Sequence, residues 1–549
     1  MAQKGEIMFR VNDKHNQETM LDSRQWMNSR VVKKLEKSWA PIFYENVFRK
    51  IDEEPFAVLY DTTGRPNFPV NILLSLEYIK HMKNCTDIEI LDDFYFDYQI
   101  NYAVGIRSLG EMNLAERTLN YFRERVYEYS IENPETCDLL FEQFINLLHI
   151  FTKNTGVSLE EQRTDTTLFM SNIKKSGRMS LAYDVLVQAV NAIPEEKRTD
   201  ALTKVLGPNF KTDVLYRTRQ QDGDSKLTQL LNLCEEALHI LEVQPDMLDS
   251  KEVQITRRFL TEQSIFDEQS AKLVPKPNKE ISPNSLQSAY DIDATFRRKG
   301  TVSQSGYVLE ISETCSKDND VQFITDYAVE SNTVSDVEIL TGRMEEIRKN
   351  TNCTDMYVDG GFHSEDVYDA AKESGIEIHL TNMSGTEPRK KLPVTEFEID
   401  PETNIIIKCP KGYTPTQVGV SNSQTTAHFP HESCAGCEFR DQCHSTKQKK
   451  DCAVRISLNS IKVSQQREAM KADRKENTSM RAGIEGTNSA LKRKGQDKLN
   501  VRGKVKSTMV SALKVTGQNI SRFIKYMQGG YKPKAKNMPQ QGITVPNFN

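Results

Sequence analysis

The sequence predicts an α/β core preceded by an all-α region and interrupted by two inserts, one helical and one small and cysteine-rich. Three observations predict this. Apolar residues recur at helical spacing from about residue 20 to 155. Period-two strands alternate with helices between Gly306 and Thr381, the pattern of a mixed sheet flanked by helices. Five of the 10 cysteines fall between Cys409 and Cys452. At 549 residues the chain is too long for one core. Its 37% hydrophobic and 27% charged composition suits a folded globular protein.

Residues 1–155 form the helical N-terminal region. Gly64, Pro66 and Pro69 break the chain before the apolar run Val70 to Ile79. Leu91 to Tyr98 continues the helical pattern, and Gly105 with Gly110 separates it from Asn113 to Arg125, a capped amphipathic helix with basic residues outward. Short helices with a basic face suit a helix-turn-helix-like DNA reader, or a plain bundle with a solvated face. Residues 156–177 hold the first core strand, around Asp165. Residues 178–285 form the helical insert, helical to about 270 and closed by Pro275, Pro277 and Pro283.

The remaining core covers residues 286–395. Gly306 to Thr314 and Gln322 to Glu330 read as strands, and Val334 to Lys349 as a helix. Met356 to Asp359 is a strand running into Gly360-Gly361. Ser364 caps a helix that begins with Glu365 and Asp366, and Ile376 to Thr381 is a further strand. The cysteine-rich insert covers residues 396–455 and opens on a hairpin turning at Asp400 to Asn404. Residues 456–528 are helical and basic, and 529–549 read as a disordered tail rich in Gly, Pro, Lys and Gln.

A net charge of -5 gives no global signal for nucleic acid. The C-terminal part is nevertheless basic, with Lys492, Arg493, Lys494, Lys498, Arg502, Lys504, Lys506 and Lys514 in close succession, and a basic face is what DNA meets. Three acids are placed for metal-assisted phosphodiester chemistry, in which two Mg2+ ions about 3.5–4 Å apart activate the nucleophile and stabilise the leaving oxygen. Asp165 lies in the first core strand, and Asp359 ends a strand before a glycine turn. Glu485 would share a helix face with Arg481, Asn488 and Lys492. Each aspartate could equally be a turn or capping residue, and the Glu485 helix an ordinary solvated face. Gly483 and Gly486 weaken that helix but suit close packing or close approach of DNA. Asp291, Asp293 and Asp355 read as structural, and His363 as a hydrogen-bonding residue.

Cys434-x2-Cys437-x5-Cys443, following Cys409, suits a structural tetrahedral Zn2+, with Cys452 and His444 as spare ligands. Free thiols in a loop-rich insert are the alternative. The scattered Cys85, Cys137, Cys234, Cys315 and Cys353 are expected to be buried thiols in a reducing compartment. No apolar run is long enough to span a bilayer, and Met1 to Arg10 lacks a signal-peptide core, so a cytoplasmic location is expected.

Together these residues resemble the DDE transposases of bacterial insertion sequences, which use an RNase H-like fold. Gly64 to Val70 and the helices to Arg125 resemble their N-terminal DNA-binding region. Thr164-Asp165-Thr-Thr resembles the first-aspartate strand. Tyr290 to Thr295, followed by Gly306-Tyr307, resembles the stretch leading into the second and third strands. Val358 to Glu365 resembles the second-aspartate motif. Arg481, Glu485 and Lys492 fall on the signature Tyr-x2-Arg-x3-Glu-x6-Lys, with Thr478 in the tyrosine position.

The resemblance implies metal-dependent cleavage at insertion-sequence ends and strand transfer into target DNA. It implies that Asp165, Asp359 and Glu485 hold two Mg2+ or Mn2+ ions. Arg481, Asn488, Lys492 and Arg493 would meet phosphates. The partner would be double-stranded DNA, bound by a homodimer in a bacterial cytoplasm, nucleoid-associated when bound. Two rivals keep parts of this reading: an RNase H-like nuclease that does not transpose, and a non-catalytic zinc-containing DNA-binding protein. The sequence holds neither a P-loop nor an H-E-x-x-H motif, which argues against an NTPase or a zinc protease.

Overall fold

The computed structural model describes residues 9–531 apart from 18, 62–64, 135–137, 175–176, 218, 300–301, 383–390 and 422. Gly64, Cys137 and the tail beyond residue 531 therefore lie outside the described residues.

The N-terminal region is helical: α1 (Ser29–Glu36), α2 (Trp39–Asn46), α3 (Val70–Lys83), α4 (Asp87–Phe96), α5 (Tyr98–Ala103), α6 (Glu116–Glu132) and α7 (Leu139–Thr155). Helix α3 buries Val70, Ile72, Leu73, Leu74, Leu76, Tyr78 and Ile79, so apolar residues cover nearly its whole circumference and it runs through the interior. It stops at Asn84 in the left-handed conformation, and α4 starts on a capping box between Thr86 and Glu89. Helix α7 ends at Gly156, again left-handed, which turns the chain into the sheet.

The main sheet is mixed. Strand β1 (Glu161–Phe169) lies at its centre, antiparallel to β5 (Val302–Thr314) and parallel to β7 (Asp355–Val358). Strand β8 (Glu377–Leu380) adds in parallel to β7, while β6 (Ile324–Ser331) and β4 (Thr295–Lys299) pair antiparallel with β5. Helices α12 (Asp336–Thr351) and α13 (Glu365–Ser374) connect the later strands. Gly306 sits where β5 passes from β4 to β1, at φ 150°, and an added Cβ would lie 2.3 Å from the Phe169 carbonyl oxygen.

Between β1 and β4, helices α8 (Arg178–Ala192), α9 (Asp200–Val205), α10 (Gly223–Glu242) and α11 (Lys251–Gln263) close around their own core of Leu186, Leu230, Leu231 and Phe259. Helix was expected to about residue 270. It ends at Gln263, and β2 (Ser264–Asp267) pairs with β3 (Lys272–Pro275) as a hairpin. The cause is local: the Asp267 carboxylate accepts from the Gln269 and Ser270 amides and fixes a turn.

The cysteine-bearing segment holds more strand than expected. The hairpin β9 (Glu398–Ile399) and β10 (Ile406–Lys408) turns through Asn404 at φ 56°. Strands β11 (Gln417–Val420), β12 (Gln424–Phe429), β13 (Ser445–Lys447) and β14 (Cys452–Ser457) then form a four-stranded sheet, and α14 (His431–Ala435) follows β12. The strands are short; β11 and β13 bury no side chain, β12 buries Thr425, Ala427 and Phe429, and β14 buries Cys452, Ala453, Val454 and Ile456 without regular alternation, which left little period-two signal.

Helices α15 (Leu458–Arg481), α16 (Gly483–Leu491) and α17 (Lys504–Met527) complete the chain. Helix α17 packs on α3, α7 and β6, and one apolar cluster runs through the N-terminal helices, the sheet and α17. Among the described residues no helix is long and apolar enough to cross a membrane.

Candidate active site

The pairing of β1 with β7 sets Arg163 opposite Tyr357, so two residues further along Asp165 comes beside Asp359 at the strand ends. The Asp359 carboxylate accepts from the Gly361 amide, and the Asn382 side chain accepts from the Gly360 amide, which together shape the glycine turn. The third acid arrives from the junction of α15 and α16. Arg481 closes α15, and Glu485 and Asn488 follow one and two turns later.

One guanidinium joins all three acids. Arg481 Nη2 lies 3.1 Å from Asp165 Oδ1 and 3.3 Å from Asp359 Oδ2, while Nη1 lies 3.5 Å from Glu485 Oε1. Asn488 Nδ2 donates to the other Asp165 oxygen at 3.1 Å. Exposure rises across the set, from 18% at Asp165 through 37% at Asp359 to 71% at Glu485. Burial pushes the Asp165 carboxyl above its ordinary pKa; Arg481 opposes that rise and Asp359 adds to it. Lys492 and Arg493 stand exposed just past the end of α16, and no contact from either to the acids is seen.

The junction is held from beneath by a network that the sequence reading missed. Arg163, on the same face of β1 as Asp165, pairs with Glu313 at 2.7 Å and donates to the Met480 carbonyl at 2.6 Å. Glu313 is fully buried and also takes Arg522 at 3.0 Å and the Thr487 hydroxyl at 2.7 Å. Burial pulls the Glu313 carboxyl upward, yet Arg522 and Arg163 bring it below its ordinary value. The space against Arg163 requires Gly483, because a Cβ there would lie 2.3 Å from the guanidinium. Gly486 meets nothing, so only one of the two glycines serves packing. The available signal was the charged pair Arg163 and Asp165 on one face of a strand bound for the core.

The competing acids have other partners. Asp291 accepts from the buried Tyr307 hydroxyl at 2.6 Å, and Asp293 accepts from the Lys504 amide at 3.2 Å. Asp355 and Glu377 begin β7 and β8, at the ends away from Asp359, and His379 lies two residues along β8. Among the described residues they are the one group of three or more ligand-type side chains whose ligand atoms all lie within 4.8 Å of one another. Within it His379 bonds Asp355 at 2.8 Å and stacks on Tyr357.

Cys409, Cys434, Cys437 and Cys443 line one small cavity beside Phe429 and Val454, but no three of them reach that mutual spacing. Cys452 is buried on β14, with Arg440 and His431 each 3.6 Å from its sulfur. Burial and Cys452 raise the Cys434 thiol to about 11. His444 faces away, with Nε2 2.9 Å from the Leu392 carbonyl oxygen.

Comparison with known families gives two matches. A family model described as Transposase DDE domain matches residues 408–524, from the end of β10 through Glu485 into α17. A second, described as Transposase domain (DUF772), matches residues 32–125 in the N-terminal helices. No curated protein and no solved structure matches the chain. The two matched segments, one near each end of the chain, both support a DDE transposase of insertion-sequence type.

Proposed function

We propose that this DNA transposase cleaves at insertion-sequence ends and joins them to target DNA at a divalent-metal site made by Asp165, Asp359 and Glu485, within an RNase H-like core. The observation that carries the reading is the gathering of these three acids, from two adjacent strands and one helix, around a single cation, the Arg481 guanidinium. The donor set fits Mg2+ or Mn2+, since all three offer hard carboxylate oxygen and lie near the surface on rigid elements. Bound metal supplies Lewis-acid stabilisation and an activated nucleophile at the scissile phosphodiester.

The chain's own residues do the rest. Asn488 fixes the rotation of the Asp165 carboxylate by donating to one oxygen and leaving the other directed at the acid cluster. Arg481 balances the three negative charges and is placed to meet a phosphate oxygen entering the same space. The Arg163, Glu313 and Arg522 network fixes the height of the α15–α16 junction over the strand ends. Lys492 and Arg493 offer exposed charge to the DNA backbone, and a homodimer would present two such sites to two DNA ends.

The test uses DNA flanking the gene, with wild type and the Asp165→Asn, Asp359→Asn and Glu485→Gln variants. Wild type should cut and join in Mg2+, and each variant should bind DNA but do neither. Cutting without joining would favour a nuclease, and variants as active as wild type would remove the triad assignment.

The cysteine-bearing segment is read as a zinc-stapled insert, with Cys409, Cys434, Cys437 and Cys443 facing the same cavity as the supporting observation. Metal analysis of the purified chain should find one zinc, lost in the Cys434→Ser, Cys437→Ser double variant. Absence of zinc from the wild type would leave four free thiols.

A further inference from the structure

A cavity of about 940 Å3 lies between the N-terminal helices and the segment that follows the Glu485 helix. Its walls carry Lys80 and Arg123 on one side and Lys494, Lys498, Lys506 and Lys514 on the other. The acids on the helical side are already engaged. Arg123 takes Glu77 and Asp87 at 2.5 and 2.7 Å, and Lys80 takes Asp87 at 2.6 Å. Glu116 and Glu124 sit exposed on α6.

The opposite wall has no such compensation. Lys494 Nζ donates to the Ser521 hydroxyl, Lys514 Nζ donates to the Lys494 carbonyl, and Lys506 lies over the Tyr127 ring. Among the described residues no carboxylate lies within ion-pair distance of Lys494, Lys498, Lys506 or Lys514. Lys514 is only 7% exposed, a nearly buried cation with no ion pair, and Asp497 acts on it only from beyond ion-pair distance. Such a charge costs free energy unless an anion joins it. Burial, with nearby cations adding to it, lowers both Lys494 and Lys514 to about 8. The fold goes out of its way to build this wall. After α16 the chain kinks through Lys494 and Gly495, the latter at φ 77°, which brings these lysines against α3 and α6.

We propose that this cavity is a phosphate-binding site for the DNA backbone, with Lys494 and Lys514 as its inner cations and Lys498 and Lys506 at its mouth. The proposal rests on the transposase reading and adds a second contact to it, outside the acid cluster. DNA is the anion that fits. Glu485 and Lys494 are nine residues apart on a segment that stays helical up to the kink at Lys494, which spans about 13 Å. That is about four nucleotides along one strand. A strand whose phosphodiester lies at the acids therefore comes within reach of the cavity. The site also joins the two segments that match transposase domains, so DNA held there would fix the N-terminal helices relative to the Glu485 helix.

The test measures binding of full-length protein to duplex DNA flanking the gene, in chelator and across a range of salt. Wild type is compared with Lys494→Gln and Lys514→Met. Each lysine variant should bind about tenfold more weakly. Each should also lose about one unit of the log–log salt slope. Lys514→Met should unfold at the same temperature as wild type or higher, since it removes a buried unpaired charge. If the lysine variants keep wild-type affinity and slope while wild type binds DNA, the cavity is not a phosphate site and the transposase reading stands. If wild type shows no salt-dependent binding, both fall. Should Lys514→Met lose stability and binding together, Lys494→Gln decides, and a wild-type slope there overturns the proposal.

Discussion

Arg481 occupies the position of a cation among Asp165, Asp359 and Glu485, and that gives it a measurable role before any metal binds. Without it, three carboxylates of like charge would face one another, two of them substantially shielded from water. Arg481→Ala should therefore lower the stability of metal-free protein by about 1–2 kcal/mol, discounted for the exposure of Glu485. Mg2+ should recover most of that loss, which urea denaturation with and without the ion will show. Equal losses in both conditions would mean that Arg481 is ordinary packing. A second residue titrates out of sight of solvent. Glu310 on β5 is buried, and among the described residues neither of its carboxyl oxygens has a hydrogen-bond partner. Burial raises its carboxyl well above the ordinary value; Asp326, Asp336 and Asp165 add to this and Arg343 opposes it. The folded state therefore holds a proton that the unfolded chain releases near its ordinary 4.5. Stability contributed by that proton is full below the unfolded value and is lost as pH rises through the folded one. Glu310→Gln should match wild type in acid and exceed it progressively as pH increases. Parallel pH–stability curves for the two proteins would refute this.

The decisive element is the α15–α16 junction, because it carries one acid to two others made by strands. Gly483 is its tightest point. An alanine there would push the Arg163 guanidinium, and although that is the end of a long side chain, Glu313 and the Met480 carbonyl leave it nowhere to go. Gly483→Ala should cost about 2–4 kcal/mol by urea denaturation, since it breaks a buried charge network. It should reduce strand transfer as well. A stability change below about 0.5 kcal/mol would show that Arg163 can relax. Much at this scale was legible in the sequence. Asp165, Asp359 and Glu485 sit on elements of the kind the sequence predicts for them: a Thr-bearing strand, a strand end before Gly-Gly, and a helix that Gly483 and Gly486 weaken in propensity. Their order along the chain matched a known signature. Beyond the charged pair Arg163 and Asp165 on β1 the supporting network was not legible, because Glu313 meets Arg163 across 150 residues and Arg522 meets Glu313 across 209. The four-stranded sheet around the cysteines escaped for a different reason. Its outer strands β11 and β13 bury no side chains, and the inward positions of β12 include a polar Thr425, so no apolar alternation marks them. Lys492 shares the signature spacing with Glu485 and keeps helical dihedrals past the end of α16, and the chain leaves the helix only at Lys494.

Across the whole molecule, α17 is what makes one body of the N-terminal helices and the sheet. Phe523 stacks on Phe151 of α7 at 4.4 Å between ring centroids. Asn519 accepts from the Ile324 amide at 2.8 Å and donates to its carbonyl at 2.7 Å, so α17 completes the backbone bonding of β6. Gly517 lets the helix approach α3 closely, where a Cβ would lie 3.1 Å from the Met82 amide nitrogen. Arg522 reaches the buried Glu313 beneath the acid cluster. A helix so connected transmits damage in both directions. Phe523→Ala should cost about 3–5 kcal/mol, the usual range for emptying a buried aromatic site. The loss should not be confined to α17. Hydrogen exchange should show amides of α3, α7 and β6 losing protection together, because each of these elements has α17 as a packing partner. The DNA-binding consequences should follow the same route, since Lys506 and Lys514 ride on this helix. If exchange quickens only within α17, the N-terminal helices and the sheet hold together without it, and α17 is a covering helix rather than a connecting one.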